Sequence, residues 1–336
     1  MTPPAFKKSA WVIGRALIVV FLLAGVVLSG RFAHFWDGAG FAFVLGGGVA
    51  LFLMGFSVSH LGAAARYAAG RPLREEDAAV LPYLWEALGR NFWIVGVLGA
   101  MANFVLTLAR TSEGIQQVAF LLAASFRPAL YGLFLAVVCA VPALKSREDL
   151  SLREKSSPIS VRGGERQPWI FENIAGYVLM VAILGWTVIL PSARGFLQEQ
   201  RLMGFFFDRS ALLVVAGGTV VIALFLGRAS LGTSLTSGLA VTGLLGSLMG
   251  LMQTLFAFTH RSIQDVASAL AFVISSCFVA LLGMILAGIP LADHEARASS
   301  RPGGLAFNRL AWYIFPLLAL LFLVLTLIAV VTPIKI

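Results

Sequence analysis

The sequence predicts an all-α, polytopic membrane protein of about nine transmembrane helices, with two parallel four-helix repeats followed by one C-terminal helix. Three observations predict it. Hydrophobic residues make up 59% of the 336-residue chain and charged residues only 12%, where soluble domains carry about 25%; mean hydropathy is +0.90. The remaining charges cluster between apolar runs, several of which reach the roughly 20 residues that a helix needs to cross a bilayer. A set of small and polar residues also recurs, in the same order, in the two halves of the chain.

The apolar runs place spans at about 11–29, 40–60, 92–110, 117–142, 170–190, 209–227, 236–258, 265–290 and 310–332. The first follows Lys7 and Lys8 in the manner of a signal peptide. It is long and lacks a small-x-small cleavage site, so it reads as a retained helix. Cations concentrate in alternate loops: Arg66, Arg71, Arg74 and Arg90 in 61–91, six Lys and Arg residues in 143–169, and Arg297, Arg301 and Arg309 in 291–309. The loops at 30–39, 111–116 and 259–264 are poorer, and 191–208, with Arg194 and Arg201, is intermediate. A net charge of +9 would suggest nucleic acid in a soluble protein. Here it follows the positive-inside bias, with the N-terminus in the cytoplasm, the C-terminus outside and no nucleic-acid partner. Loop 143–169, with Ser156, Ser157, Pro158, Gly163 and Gly164, reads as a flexible linker. The chain then divides into a first repeat at 1–145, a linker at 146–169, a second repeat at 170–295 and a final helix within 296–336.

Catalytic constellations are missing from this sequence. Cys139 and Cys277 lie inside apolar runs and have neither a disulfide framework nor metal-site spacing. There is no His-x-x-x-His, Cys-x-x-Cys or phosphate-binding loop, so no enzyme, metal or cofactor is expected.

The duplication is read from aligned residues. Asp37 matches Asp208, and Gly46 and Gly47 match Gly217 and Gly218. Gly96-Val-Leu-Gly99 matches Gly243-Leu-Leu-Gly246, and Ile115-Gln-Gln-Val-Ala119 matches Ile263-Gln-Asp-Val-Ala267. Both fourth helices are expected to end at a proline, Pro142 and Pro290, whose separation of 148 equals that of Ile115 and Ile263. Both repeats start from the same side, so the repeat is parallel. Gly46, Gly47, Gly217, Gly218, Gly243, Gly246 and Gly250 are expected to let helices approach closely, the last two in a Gly-x-x-x-Gly spacing.

The repeated unit resembles the MotA/TolQ/ExbB proton-channel family. Residues 208–219 have that family's second-helix form, an Asp followed by Val215-Ala-Gly-Gly-Thr219. Residues 243–250, Gly-Leu-Leu-Gly-Ser-Leu-Met-Gly, resemble its third helix. Tyr131-Gly132, Ala136 and Pro142 resemble its fourth. The resemblance covers nearly the whole chain in two copies. It implies a bacterial inner-membrane subunit in a homo- or hetero-oligomer with lipid around it. It also implies a single-span partner of the TolR/ExbD/MotB kind, whose Asp carries the proton past hydroxyls on the third and fourth helices. A tandem repeat supplies units in pairs, so copies of this chain would build an even-numbered ring or join single-repeat subunits. The large domain between helices two and three of MotA is nearly absent, which argues against a flagellar role.

Departures from the family pattern select the candidate site. In the second repeat Ser247 stands at the third-helix Thr, and Ser275, Ser276 and Cys277 lie near the fourth-helix Thr. The first repeat has Ala100 and Ala129 there, with Asn103, Arg127 and Pro128 nearby. The second repeat is therefore the candidate proton path, unless its hydroxyls only bond backbone carbonyls and adjacent helices. Arg127, inside an expected span, reads either as a gate or partner contact or as an interfacial residue at a later helix start. Asp37, Asp208 and Asp265 read as helix N-caps, and no intramembrane carboxylate is expected. The run 313–334 resembles the TolR/ExbD helix between Pro316 and Pro333, with Ala319 at its Asp; it also reads as an ordinary Leu-rich span. A non-conducting scaffold and a secondary transporter are the alternative functions. Against transport, neither repeat shows a broken helix paired with a buried charge.

Overall fold

The computed structural model describes residues 37–71, 75–108, 124–156, 174–183, 208–225, 231–260, 263–298, 314–319 and 321. Every element among the described residues is helical. The expected spans at 11–29 and over most of 310–332 lie outside them, as do much of 170–190 and residues 157–169 of the linker.

The first element, α1 (Gly38–Gly55), starts where Asp37 takes an extended conformation and its carboxylate accepts the Ala39 N–H at 3.1 Å. It ends at Phe56, which is again extended. Ser57 then opens α2 (Val58–Ala68): the His60 Nδ1 lies 2.7 Å from the Ser57 hydroxyl and accepts its backbone N–H at 3.4 Å. A left-handed Gly70 (φ +70°) closes α2, with the Arg71 N–H reaching back to the Arg66 carbonyl.

Sequence reasoning treats 61–91 as a loop and starts the third span at 92. Instead, α3 (Glu75–Leu108) is one helix of 34 residues. At 1.5 Å per residue it is about 50 Å long, against a hydrocarbon core of about 30 Å. Residues 81–92 of it lie in an apolar core with Phe52 and Phe56, to which Leu81, Leu84, Leu88 and Phe92 contribute and against which Leu61 and Tyr67 of α2 pack. Apolar residues interleaved with the charges stabilise a helix beyond the apolar run. The fourth helix, α4 (Arg127–Ser156), likewise passes through Pro142 into the stretch read as linker.

In the second half, α5 (Ile174–Ile183) is followed by α6 (Arg209–Phe225), α7 (Leu231–His260) and α8 (Ile263–Gly283). Asp208 caps α6, its carboxylate accepting the N–H groups of Ser210 and Ala211 at 2.9 and 3.0 Å. The expectation that the fourth helices end at prolines fails here too. A π-helical turn at Met284–Gly288 joins α8 to α9 (Ile289–Ala298), and Pro290 lies within α9. Proline has no N–H to continue an α-helical ladder. The wider turn, with the Ile289 N–H donating to the Met284 carbonyl, absorbs that gap without ending the helix.

Each half packs its three longest helices against one another, α1 with α3 and α4, and α6 with α7 and α8. Glycines set the approach. A Cβ on Gly96 of α3 would lie 2.9 Å from Gly132 Cα of α4, and a Cβ on Gly132 would lie 2.5 Å from the Phe92 carbonyl. A Cβ on Gly243 of α7 would lie 2.5 Å from Ala280 of α8, and one on Gly250 2.7 Å from Val273. The halves join where α5 crosses α1 at Gly176, whose added Cβ would meet the Met54 nitrogen at 2.6 Å, and where α8 and α9 meet α3 and α1. Five of these helices are long and apolar enough to cross a membrane.

Candidate functional site

The hydroxyls of the second half lie between α6, α7 and α8. Successive residues of a helix point about 100° apart, so Ser275, Ser276 and Cys277 of α8 face three ways. The Ser275 hydroxyl accepts the Asp208 N–H at 2.8 Å, holding the start of α6. Cys277 Sγ lies 2.8 Å from Ser247 Oγ, which also donates to the Gly243 carbonyl at 2.7 Å. Ser276 faces Gly246, whose added Cβ would lie 2.6 Å from its hydroxyl. That hydroxyl is fully buried and makes no hydrogen bond among the described residues.

A second polar layer lies toward the α7 N-terminus. Thr219 and Thr242 approach hydroxyl to hydroxyl at 3.0 Å; Thr219 donates to the Val215 carbonyl at 2.5 Å, and Thr242 donates to the Gly238 carbonyl at 2.7 Å with the Val215 carbonyl 3.2 Å away. Beyond them, the buried hydroxyls of Ser234 and Ser237 make no hydrogen bond among the described residues. From Ser234 to Ser247, buried hydroxyls therefore recur along about 20 Å of α7. In the alignment of the halves expected from the sequence, Ser234, Ser237, Thr242 and Ser247 would fall opposite Ala87, Arg90, Val95 and Ala100, and Thr219 opposite Gly48. Sequence reasoning quoted Thr219 only as part of a motif and missed its pairing with Thr242. The signal available was a Thr on each of two neighbouring spans.

The remaining sequence candidates fall elsewhere. Arg127 is the first residue of α4, half-buried, with its Nε buried and making no hydrogen bond. Asn103 is half-buried on α3. Of the seven glycines, Gly46 meets Ile183, Gly47 meets Val95, Gly218 meets Thr242, and Gly243, Gly246 and Gly250 seat α8. Gly217 is exposed and has nothing within 4 Å of an added Cβ among the described residues.

One charged cluster escaped the sequence. Arg90, counted there as a loop cation, is 2% exposed, and Asp293 is 5% exposed. Their contact is two-pronged: Nη1 to Oδ1 at 3.1 Å and Nη2 to Oδ2 at 2.6 Å. Arg90 Nε and Nη2 also donate to Asn91 Oδ1 at 3.2 and 3.1 Å. Gly55 leaves room for the carboxylate, since an added Cβ there would come within 3.2 Å of Asp293 Oδ2. A buried carboxylate is thus present, held by a guanidinium from the other half. Sequence separation of 203 residues hid the pairing.

Chemically, the hydroxyl cluster can donate and accept hydrogen bonds along α7 and α8; the Ser247–Cys277 contact involves no carboxylate or imidazole, and Asp208 bonds Ser275 through its backbone N–H. No group of three or more His, Cys, Asp or Glu side chains that could hold a metal ion occurs among them. Fold and site together define an all-helical, multi-pass membrane protein with a polar seam in one half. No family model, curated protein or solved structure matches the chain.

Proposed function

We propose that this chain is a tandemly duplicated subunit of a proton-motive-force-driven channel or stator-like complex of the MotA/TolQ/ExbB kind, in a bacterial inner membrane with its N-terminus in the cytoplasm. A single-span TolR/ExbD/MotB-like partner supplies the carboxylate that the hydroxyl cluster lacks. Aligned contacts support the duplication. Gly47 meets Val95 in the first half, and their counterparts Gly218 and Thr242 meet in the second. Gly96 meets Gly132, and their counterparts Gly243 and Ala280 meet. The Asp37 N–H donates to the Tyr131 hydroxyl at 2.7 Å, as the Asp208 N–H does to Ser275, so both N-caps are tied to the fourth helix of their half.

The observation that carries the proton-path reading is the Ser276 hydroxyl. Leaving a buried hydroxyl without a partner costs about 1–3 kcal/mol. It sits one residue from Cys277, which contacts Ser247. A hydroxyl kept unpaired at such a cost is free to bond a transient proton carrier or water. In the first half the aligned positions of Ser247 and Cys277 are the buried Ala100 and Ala129, so that half holds the assembly together.

A non-conducting scaffold is the second reading, and Ala319 favours it. The 314–319 segment packs Phe315 close to Gly243, and Ala319 is buried. On this reading a helix from this chain takes the place of a partner helix, with alanine where that helix carries Asp. Proton flux separates the readings. In vesicles from the native membrane with a trapped pH dye and an imposed potential, Ser276→Ala lowers flux at least tenfold while the complex still assembles. Undiminished flux in that variant, or no flux attributable to the wild-type chain, sinks the channel reading.

A further inference from the structure

Arg127 is placed where helix stability does not explain a cation. It is the first residue of α4, and the start of a helix carries partial positive charge that repels another. Its side chain is half-buried, and its Nε is buried and makes no hydrogen bond among the described residues. It forms no ion pair among them either. Tyr131, one turn further along α4, and Asp37 are bound to each other and to the start of α1 instead. The Asp37 carboxylate accepts the Ala39 N–H, and the Tyr131 hydroxyl accepts the Asp37 N–H. In the alignment expected from the sequence, Ser275 falls opposite Arg127, and in the second half it is Ser275 that accepts the Asp208 N–H. Tyr131 does that work in the first half, so position 127 is not needed to tie α1 to α4.

Below Arg127 runs an apolar surface. Leu130, Leu133, Val137 and Leu144 are exposed and share one side of α4, as their helical spacing requires. Arg127, three residues before Leu130, stands at the head of that stripe. From Arg127 to Val137 the helix rises about 15 Å, half of the roughly 30 Å hydrocarbon core of a bilayer. That matches the depth of one leaflet. The apolar window of α4 is also the least covered of the five membrane-length helices, at 39% buried where the other four range from 56% to 94%. The fourth helix of the second half offers no such place: its window is 78% buried, and it begins with serine in place of the cation.

We propose that Arg127 and the stripe below it bind a phospholipid with an anionic headgroup. The phosphate lies on the guanidinium, and an acyl chain runs along Leu130, Leu133 and Val137. A guanidinium presents its donors in a planar fork that fits two phosphate oxygens. A phosphate there fills the donor that the protein leaves unpaired, and its charge offsets both the cation and the positive helix end. Charge selects the headgroup. A net-anionic lipid neutralises the single guanidinium, whereas a zwitterionic lipid brings a second cation to the same place. A lipid fits better than a soluble anion because the apolar part of the site is one leaflet deep. The site is separate from the Ser276 seam and needs neither conduction nor a partner helix.

The test uses the full chain purified in neutral detergent and titrated with phosphatidylglycerol or phosphatidylcholine of equal chain length, with bound lipid counted by native mass spectrometry. The wild type prefers phosphatidylglycerol at one site by about fivefold or more, the worth of one basic side chain at a membrane surface. Arg127→Gln loses that preference and Arg127→Lys keeps part of it. Arg209→Gln, at the exposed start of α6, leaves it intact. Glycerol phosphate, the headgroup without acyl chains, does not displace the lipid. A structural role for Arg127 would show without lipid, so heat stability in detergent alone is read beside binding, and there Arg127→Gln matches or exceeds the wild type. The proposal is overturned by a wild type without preference or by an Arg127→Gln variant that keeps it. Displacement by glycerol phosphate, or a loss of heat stability in lipid-free Arg127→Gln, overturns it equally.

Discussion

Replacing Asp293 by Leu removes the carboxylate from a guanidinium that is almost wholly buried. Two short contacts, at 2.6 and 3.1 Å, disappear with it. Only the bonds to Asn91, at 3.1 and 3.2 Å, remain of those four. Breaking a buried ion pair by removing one partner costs about 3–5 kcal/mol, because the other charge stays desolvated. The two partners are not equivalent. A lone buried carboxyl can take up a proton, but a guanidinium cannot lose one. Asp293→Leu is therefore expected at the upper end of that range, and Arg90→Met below it. In the double variant no charge is left buried, and matched apolar replacements of buried pairs are close to neutral. The assay is the fraction of folded protein that survives heating in detergent, read by size-exclusion chromatography. At about 2–4 °C per kcal/mol, Asp293→Leu lowers the midpoint by roughly 10 °C. The double variant regains most of that loss. Single variants within about 2 °C of wild type, or a double variant equal to their sum, would refute the argument.

Other substitutions test the packing and the caps. Gly132→Ala places a methyl 2.5 Å from the Phe92 carbonyl, where backbone cannot yield, and costs about 1–3 kcal/mol in the heating assay. Among the described residues Gly217→Ala meets no neighbour within 4 Å of the added methyl, so the same assay reads no loss, or a gain of up to about 1 kcal/mol from helix propensity. Asp208→Ala removes the acceptor of two N–H groups at the start of α6 and costs about 1 kcal/mol. Ser276→Ala removes an unpartnered buried hydroxyl and leaves heat stability unchanged or raised, while proton flux falls. A loss of stability in that variant would mean the hydroxyl has a structural bond.

The all-helical, membrane-spanning character was legible because apolar runs depend on nearby residues. Asp37 and Asp208 could be read as N-caps from their position before an apolar run, and both act as such. The unequal distribution of hydroxyls was also visible, since Ser247 and Ala100 occupy aligned positions. What the sequence hid depends on distance or on geometry. Arg90 looked like a loop cation because a charge near an apolar run is normally solvated. Its burial follows only from Asp293, which is 203 residues away. Helix ends were misjudged at Pro142 and Pro290, since proline stops a helix only when nothing reroutes the missing bond. The π-helical turn before Pro290 reroutes it, and no composition rule announces such a turn. Which of Ser275, Ser276 and Cys277 would be left unpaired also depended on what α6 and α7 place opposite each.

The most direct test of the central claim is a structure of the complex purified from native membranes, with its subunits counted. The predicted result is a single-span helix bound to this chain with its carboxylate facing the α7–α8 seam near Ser276. A complex with no carboxylate-bearing helix beside that seam would contradict it.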